Sequence, residues 1–186
     1  MIEFTGDEGL FNLRATFQGG VPPQDSDDTA CMYATWVDVG APIVVTPGLI
    51  SSVGTRTASN HSRFKWNLSK YGNPVKWFIT KPGDDKTKGF HYDRVEAGAG
   101  ISLGYPSPFF LELCADGSGG ILRPITSENG VADRNSYCVG VSQRGIVEIM
   151  SVAAPNRKSS EPTPAWQAYS TPGRLMLPET HSKEGH

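Results

Sequence analysis

An excess of either charge is missing from this chain: 17 Lys and Arg stand against 19 Asp and Glu, a formal net charge of -2 over 186 residues. Proteins that hold nucleic acid cluster Lys and Arg against the phosphates. No such cluster stands out, so no direct nucleic-acid contact is expected. Cysteine is scarce as well. Cys31, Cys114 and Cys138 are an odd number without a CxxC pair, which argues against a disulfide framework and against a zinc site. Long apolar runs are absent: nothing approaches the ~18 residues of a membrane helix. The opening MIEFTGDEGLFNLRATF carries acid where a secretion signal needs base ahead of an apolar run. These features lead to the expectation of a chain made in the cytosol that spans no membrane. Asn60 and Asn67 stand in N-x-S patterns, and without export they are not expected to be used.

Helical periodicity is the last absence. The longest stretches free of Gly and Pro, 24–39 and 55–71, show no apolar residues at helical spacing. What the chain has instead is punctuation, with Gly 21 and Pro 14, above average usage yet below the level of low-complexity disorder. Short runs of alternating character lie between the breaks. Phe64, Trp66 and Leu68 alternate with Arg63, Lys65, Asn67 and Ser69; Lys70 to Pro74 makes a turn; Val75, Trp77 and Ile79 then alternate with Lys76 and Thr80. The period of two predicts a hairpin with both tryptophans on its apolar side and a basic side of Arg63, Lys65, Lys70, Lys76 and Lys81. Phe109 to Cys114 and Ile121 to Arg123 flank a glycine-rich turn, Tyr137 to Ser142 and Ile146 to Val152 flank Gln143-Arg144-Gly145, and Met32 to Thr46 is split by Gly40 and Pro42. The fold class expected is all-β, a small barrel or sandwich of seven to ten strands built from hairpins.

Residues 1–30 lack sustained alternation, and 155–186 are rich in proline and Ser/Thr yet keep large apolar side chains. The expected organisation is therefore an extended N-terminal arm over 1–30, a barrel or sandwich domain over 31–154, and an extended C-terminal arm over 155–186. Trp166, Tyr169, Leu175, Met176 and Leu177, with Leu10, Phe11 and Phe17, are the candidates for contact with a partner, since apolar side chains offset the entropy of ordering an arm on binding.

Motifs of chemistry dissolve under inspection. Gly140-Val141-Ser142-Gln143-Arg144-Gly145 has one residue too many for a nucleophile elbow, and Gly98 to Gly104 one too many for a dinucleotide loop; the latter reads as a flexible lead-in to a strand. Asp25, Asp27 and Asp28 lack the Gly and Glu of a calcium loop, with Ala30 and Trp36 in those places. His61, His91, His181 and His186 are scattered. No catalytic residue, cofactor or metal site is expected. The one enzymatic arrangement to weigh is His91 with Cys114 or Cys138 as nucleophile, against which both cysteines sit in apolar strands.

Gly104-Tyr105-Pro106, Asp116-Gly117, Leu122-Arg123-Pro124, Val139-Gly140-Val141 and Gly145-Ile146-Val147-Glu148 together resemble, over roughly 95–153, the small β-barrel of tailed-bacteriophage capsid decoration, or cement, proteins. The resemblance implies a non-enzymatic virion protein made in the host cytoplasm, bound to the outside of a capsid as a homotrimer or other homo-oligomer and clamping major capsid protein subunits. The alternative is a carbohydrate-binding β-sandwich that uses Trp66, Trp77 or Trp166 as a stacking platform.

Overall fold

The computed structural model of the protein describes residues 10–17, 32–47, 62–83, 87–115, 119–125, 136–152, 163–170 and 174–175. Among them the chain forms thirteen strands and one 3-10 turn, Ser62–Phe64. The strands are β1 (Leu10–Phe17), β2 (Met32–Thr35), β3 (Val44–Pro47), β4 (Trp66–Tyr71), β5 (Lys76–Thr80), β6 (Gly89–His91), β7 (Ser102–Gly104), β8 (Phe109–Leu113), β9 (Gly120–Pro124), β10 (Tyr137–Val141), β11 (Val147–Ser151), β12 (Pro164–Ser170) and β13 (Arg174–Leu175). Each is short, and most carry β-branched or aromatic residues, the composition that suits a pleated, half-buried surface.

Pairing in the order β1–β4–β5–β8–β9–β12, closed by β12 against β1, makes a six-stranded antiparallel barrel. Closure removes the exposed edges that an open sheet would leave. The remaining pairs β2–β3, β6–β7 and β10–β11 are hairpins inserted between consecutive barrel strands, and β13 pairs with the last two residues of β12, Tyr169 and Ser170. The chain thus repeats one four-stranded unit three times, β1–β4, β5–β8 and β9–β12. This is β-trefoil topology.

The three hairpins are joined around the pseudo-threefold axis by a ring of backbone bonds. Ile43 N–H donates to Ile101 O, Ile101 N–H to Val147 O, and Val147 N–H back to Ile43 O, each at 2.8 Å. A second ring runs Val45 to Gly145, Leu103 to Ala41 and Ile149 to Ala99, at 2.8, 3.1 and 2.8 Å. Backbone groups that would be buried without partners at this junction are satisfied by one another. The segment from Gly98 to Gly104, expected as a flexible lead-in, is one arm of these rings: Gly98 serves a tight turn at φ +85°, and the backbone that follows is paired.

The core obeys the same symmetry. Strand register makes equivalents of Leu13, Ile79 and Leu122; of Trp66, Phe109 and Trp166; of Ala34, Phe90 and Val139; of Val45, Leu103 and Ile149; and of Ile43, Ile101 and Val147. These five sets are the whole of the main buried cluster. Burial of each large apolar side chain contributes roughly 1.5–3 kcal/mol. Phe90 is the large member of its set and stands edge-on to Trp66, Phe109 and Trp166, with ring centroids 4.9, 6.3 and 6.5 Å away; Ala34 and Val139 leave it the room.

Three expectations change. β1 and β12 lie within the segments read as arms, yet they close the barrel against each other from Phe11↔Ser170 to Phe17↔Pro164, so the barrel domain extends beyond 31–154 at both ends. The strand count exceeds ten, because β1, β12 and β13 lie in the segments read as arms and β6 and β7, of three residues each, are too short for a periodic signal. Phe64 is not in the first hairpin strand: it closes the 3-10 turn ahead of β4.

Candidate functional site

Phe11 and Trp166, two of the residues expected to meet a partner, are core residues. Phe11 is 2% exposed and Trp166 5%, and the Trp166 indole N–H donates to Val139 O at 3.1 Å. The physical reason is the apolar alternation along both strands, which a closed barrel absorbs. Leu10, Phe17, Tyr169 and Leu175 have their backbone in β1, β12 or β13, and their side chains lie outside the described set; Met176 and Leu177 lie outside the described residues altogether, as do Cys31 and the Asp25, Asp27, Asp28 cluster.

The residues weighed for catalysis do not converge. Cys114 and Cys138 are buried together with Ile121 and Ala165 in a small satellite cluster. His91 is held elsewhere: its Nδ1 donates to Tyr105 O at 2.7 Å and its Nε2 faces Asp93 Oδ1 at 2.9 Å. Ser107 Oγ stands 3.4 Å from the same Nδ1. A nitrogen that already carries its proton toward a carbonyl takes none from a hydroxyl, so His91 and Ser107 are not a base and nucleophile couple. Ser107 instead organises its loop, receiving Tyr92 N–H on Oγ at 3.1 Å and donating its own N–H to Phe90 O at 2.8 Å. Among the described residues no group of three or more His, Cys, Asp or Glu stands together as metal ligands.

The tryptophans separate cleanly. Trp66 is fully buried and its indole N–H donates to Ala34 O at 3.0 Å. Trp36 is covered by Lys81, whose Nζ sits 3.9 Å from the ring centroid. Trp77 lines an open groove, of about 310 Å3, with Pro74, Val75, Phe110, Leu111, Glu112 and Arg123. The basic side expected on this hairpin divides in the same way. Lys65 is buried and donates from Nζ to Asn12 Oδ1 at 2.9 Å, with burial lowering its pKa, and Lys70 Nζ lies 6.0 Å from the Trp77 centroid.

The groove combines an aromatic ring with one oriented polar pair. Arg123 Nε donates to Glu112 Oε2 at 2.8 Å; the Arg123 side chain is buried and reaches Tyr137 O, whereas the Glu112 side chain is 57% exposed. The arginine fixes the carboxylate, and the carboxylate faces the groove. Tyr71 and Val75, 78% and 47% exposed, stand on the adjoining hairpin tip. Reading the sequence missed Glu112 and Arg123 because their meeting depends on register: Glu112 lies opposite Ile121 and Arg123 opposite Phe110, which sets the charged residues diagonally on one face. Comparison with known proteins finds no matching family model and no matching curated protein for this chain.

Proposed function

We propose that this protein is a non-catalytic binding module that takes an uncharged sugar ring of a glycan against Trp77. The observation that carries the reading is the division of the four tryptophans: two spent in the core, one capped by a lysine, one left beside a groove with an oriented carboxylate. The apolar face of a pyranose stacks on an indole, and its hydroxyls donate to a carboxylate held from behind by arginine. A shallow site with few polar groups suits one or two sugar units. Glu112 at the mouth disfavours acidic sugars by like charge. A glycan array probed with the folded protein should give neutral glycans. Trp77→Leu, which keeps apolar volume at a half-buried site, should weaken binding by about tenfold or more, a loss of roughly 1.4 kcal/mol. Wild-type protein that binds no glycan, or a Trp77→Leu variant that binds unchanged, overturns the reading.

A second reading, a decoration-type protein on a capsid surface with major capsid protein as its partner, is favoured by the exposed apolar residues Val39, Tyr71, Val75 and Tyr105 on a surface of low net charge. Co-sedimentation with capsid shells that lack their decoration protein tests it. Retention of the protein on the shells, lost on Tyr71→Ser with Val75→Ser, supports it, and a monomer that leaves the shells bare rejects it.

A further inference from the structure

We infer that the barrel carries a second sugar-binding recess, lined by Ser69, Phe78, Thr80, Tyr105 and Pro106, in which Ser69 and Thr80 are the pseudo-threefold counterparts of Glu112 and Arg123, and which is selective for an uncharged ring. The inference rests on the reading of the Trp77 groove as a glycan site and assigns a second one, of different chemistry, to the same molecule.

The relation follows from register. Trp66 and Phe109 occupy the same position in β4 and β8, so Ser69 and Glu112, each three residues on, correspond; Ile79 and Leu122 correspond, so Thr80 and Arg123, each one residue on, do too. Where one unit places a carboxylate and a guanidinium diagonally across two strands, the preceding unit places two hydroxyls. Hydroxyls donate and accept, so this recess, about 210 Å3 in volume, offers both halves of a sugar hydrogen bond with no charge among its lining side chains.

Its aromatic surface is also built rather than incidental. Tyr105 is 75% exposed, yet its carbonyl is held by His91 Nδ1 at 2.7 Å, and two residues on, Ser107 N–H is tied to Phe90 O. Gly104 lets the imidazole lie against the chain, since a Cβ there would stand 3.1 Å from the ring. A phenol ring on an anchored loop loses little further entropy when a ligand stacks on it. The register counterpart of Trp77 in this part of the barrel is Phe11, which is buried; the ring of this recess comes instead from Tyr105, just after β7.

Calorimetric titration of the full chain with lactose, maltose, cellobiose and chitobiose tests the assignment, using whichever gives the strongest heat as the probe. Two disaccharides should bind per chain. Trp77→Leu should leave one, insensitive to salt because its lining is uncharged. Tyr105→Ala and, separately, Thr80→Val should remove that one and leave the other, with near-ultraviolet circular dichroism confirming the fold. One disaccharide per chain, lost on Trp77→Leu and untouched by Tyr105→Ala and Thr80→Val, overturns the second recess and upholds the first. A single site lost only on Tyr105→Ala upholds the recess and overturns the Trp77 reading. No binding of any disaccharide by the wild type overturns both.

Discussion

Lys65 shows what a single residue contributes once its surroundings are known. Burial lowers its pKa from the ordinary value of 10.5, because a low-dielectric site penalises the ammonium. The folded chain therefore releases this proton at lower pH than the unfolded chain does. In the window just below 10.5 the unfolded state binds more protons, and stability rises with pH. Below that window Lys65 is charged in both states and carries its full burial penalty. Tyr92 acts oppositely: burial first of all raises its phenol above 10.0, so its contribution to stability is lost as pH climbs past that value. Unfolding of wild type and Lys65→Met by denaturant between pH 7 and about 10 separates the two. The wild type should gain stability relative to the variant as pH rises, and a difference independent of pH rejects the assignment. At pH 7 the variant should also lose about 1–3 kcal/mol with the buried hydrogen bond from Lys65 Nζ to Asn12 Oδ1.

Among elements, the turns before β3, β7 and β11 show one task solved in two ways. Ala41 N–H bonds Asp38 O, Ala99 N–H bonds Glu96 O, and Gly145 N–H bonds Ser142 O. The third residue of the turn is Gly40 at φ +85° in the first unit and Gly98 at φ +85° in the second, as a type II turn requires. In the last unit that place is held by Arg144, whose φ is not positive, and the left-handed residue moves on to Gly145 at φ +74°. An added Cβ would meet nothing within 4 Å at Gly40 or Gly98, so the cost of alanine there is conformational alone. Gly40→Ala and Gly98→Ala should each destabilise by about 1–2 kcal/mol, and Arg144→Ala by less than about 0.5. Thermal unfolding checks the contrast, and equal effects at all three positions would contradict it.

At the scale of the molecule, stability depends on how unequal side chains share a symmetric core. Trp66 and Trp166 donate their indole N–H to Ala34 O and Val139 O. Phe109 cannot do so, and the corresponding Phe90 carbonyl takes Ser107 N–H instead. Phe90 fills space on the axis that its equivalents Ala34 and Val139 leave open. Phe90→Ala should cost about 3–5 kcal/mol and Ala34→Phe about 1–3 kcal/mol by overpacking. The two changes exchange volume across the axis, so the double variant should be more stable than the sum of the single costs implies. Strict additivity in denaturant unfolding would show that the two positions do not share this space.

Much of this was legible beforehand at short range. The hairpins at Trp66 to Thr80, Phe109 to Arg123 and Tyr137 to Val152 follow from alternation and turn chemistry, because a strand's two faces and a tight turn are local matters, and the all-β class follows from the missing helical period. Trp66 and Trp77 were correctly put on the apolar sides of their strands. Closure of the barrel by β1 and β12 was not legible, since the partners are some 150 residues apart and loop closure leaves no local mark. Nor was the fate of the tryptophans: the same residue type is core at Trp66 and Trp166, capped at Trp36 and open at Trp77, a distinction set by which strand covers which. By itself the sequence determined strands, turns and their alternation, because these are decided within a few residues. Tertiary structure alone decided the threefold arrangement, the residues spent inside it, and the Glu112 and Arg123 pair beside Trp77, because pairing between distant strands sets both burial and register.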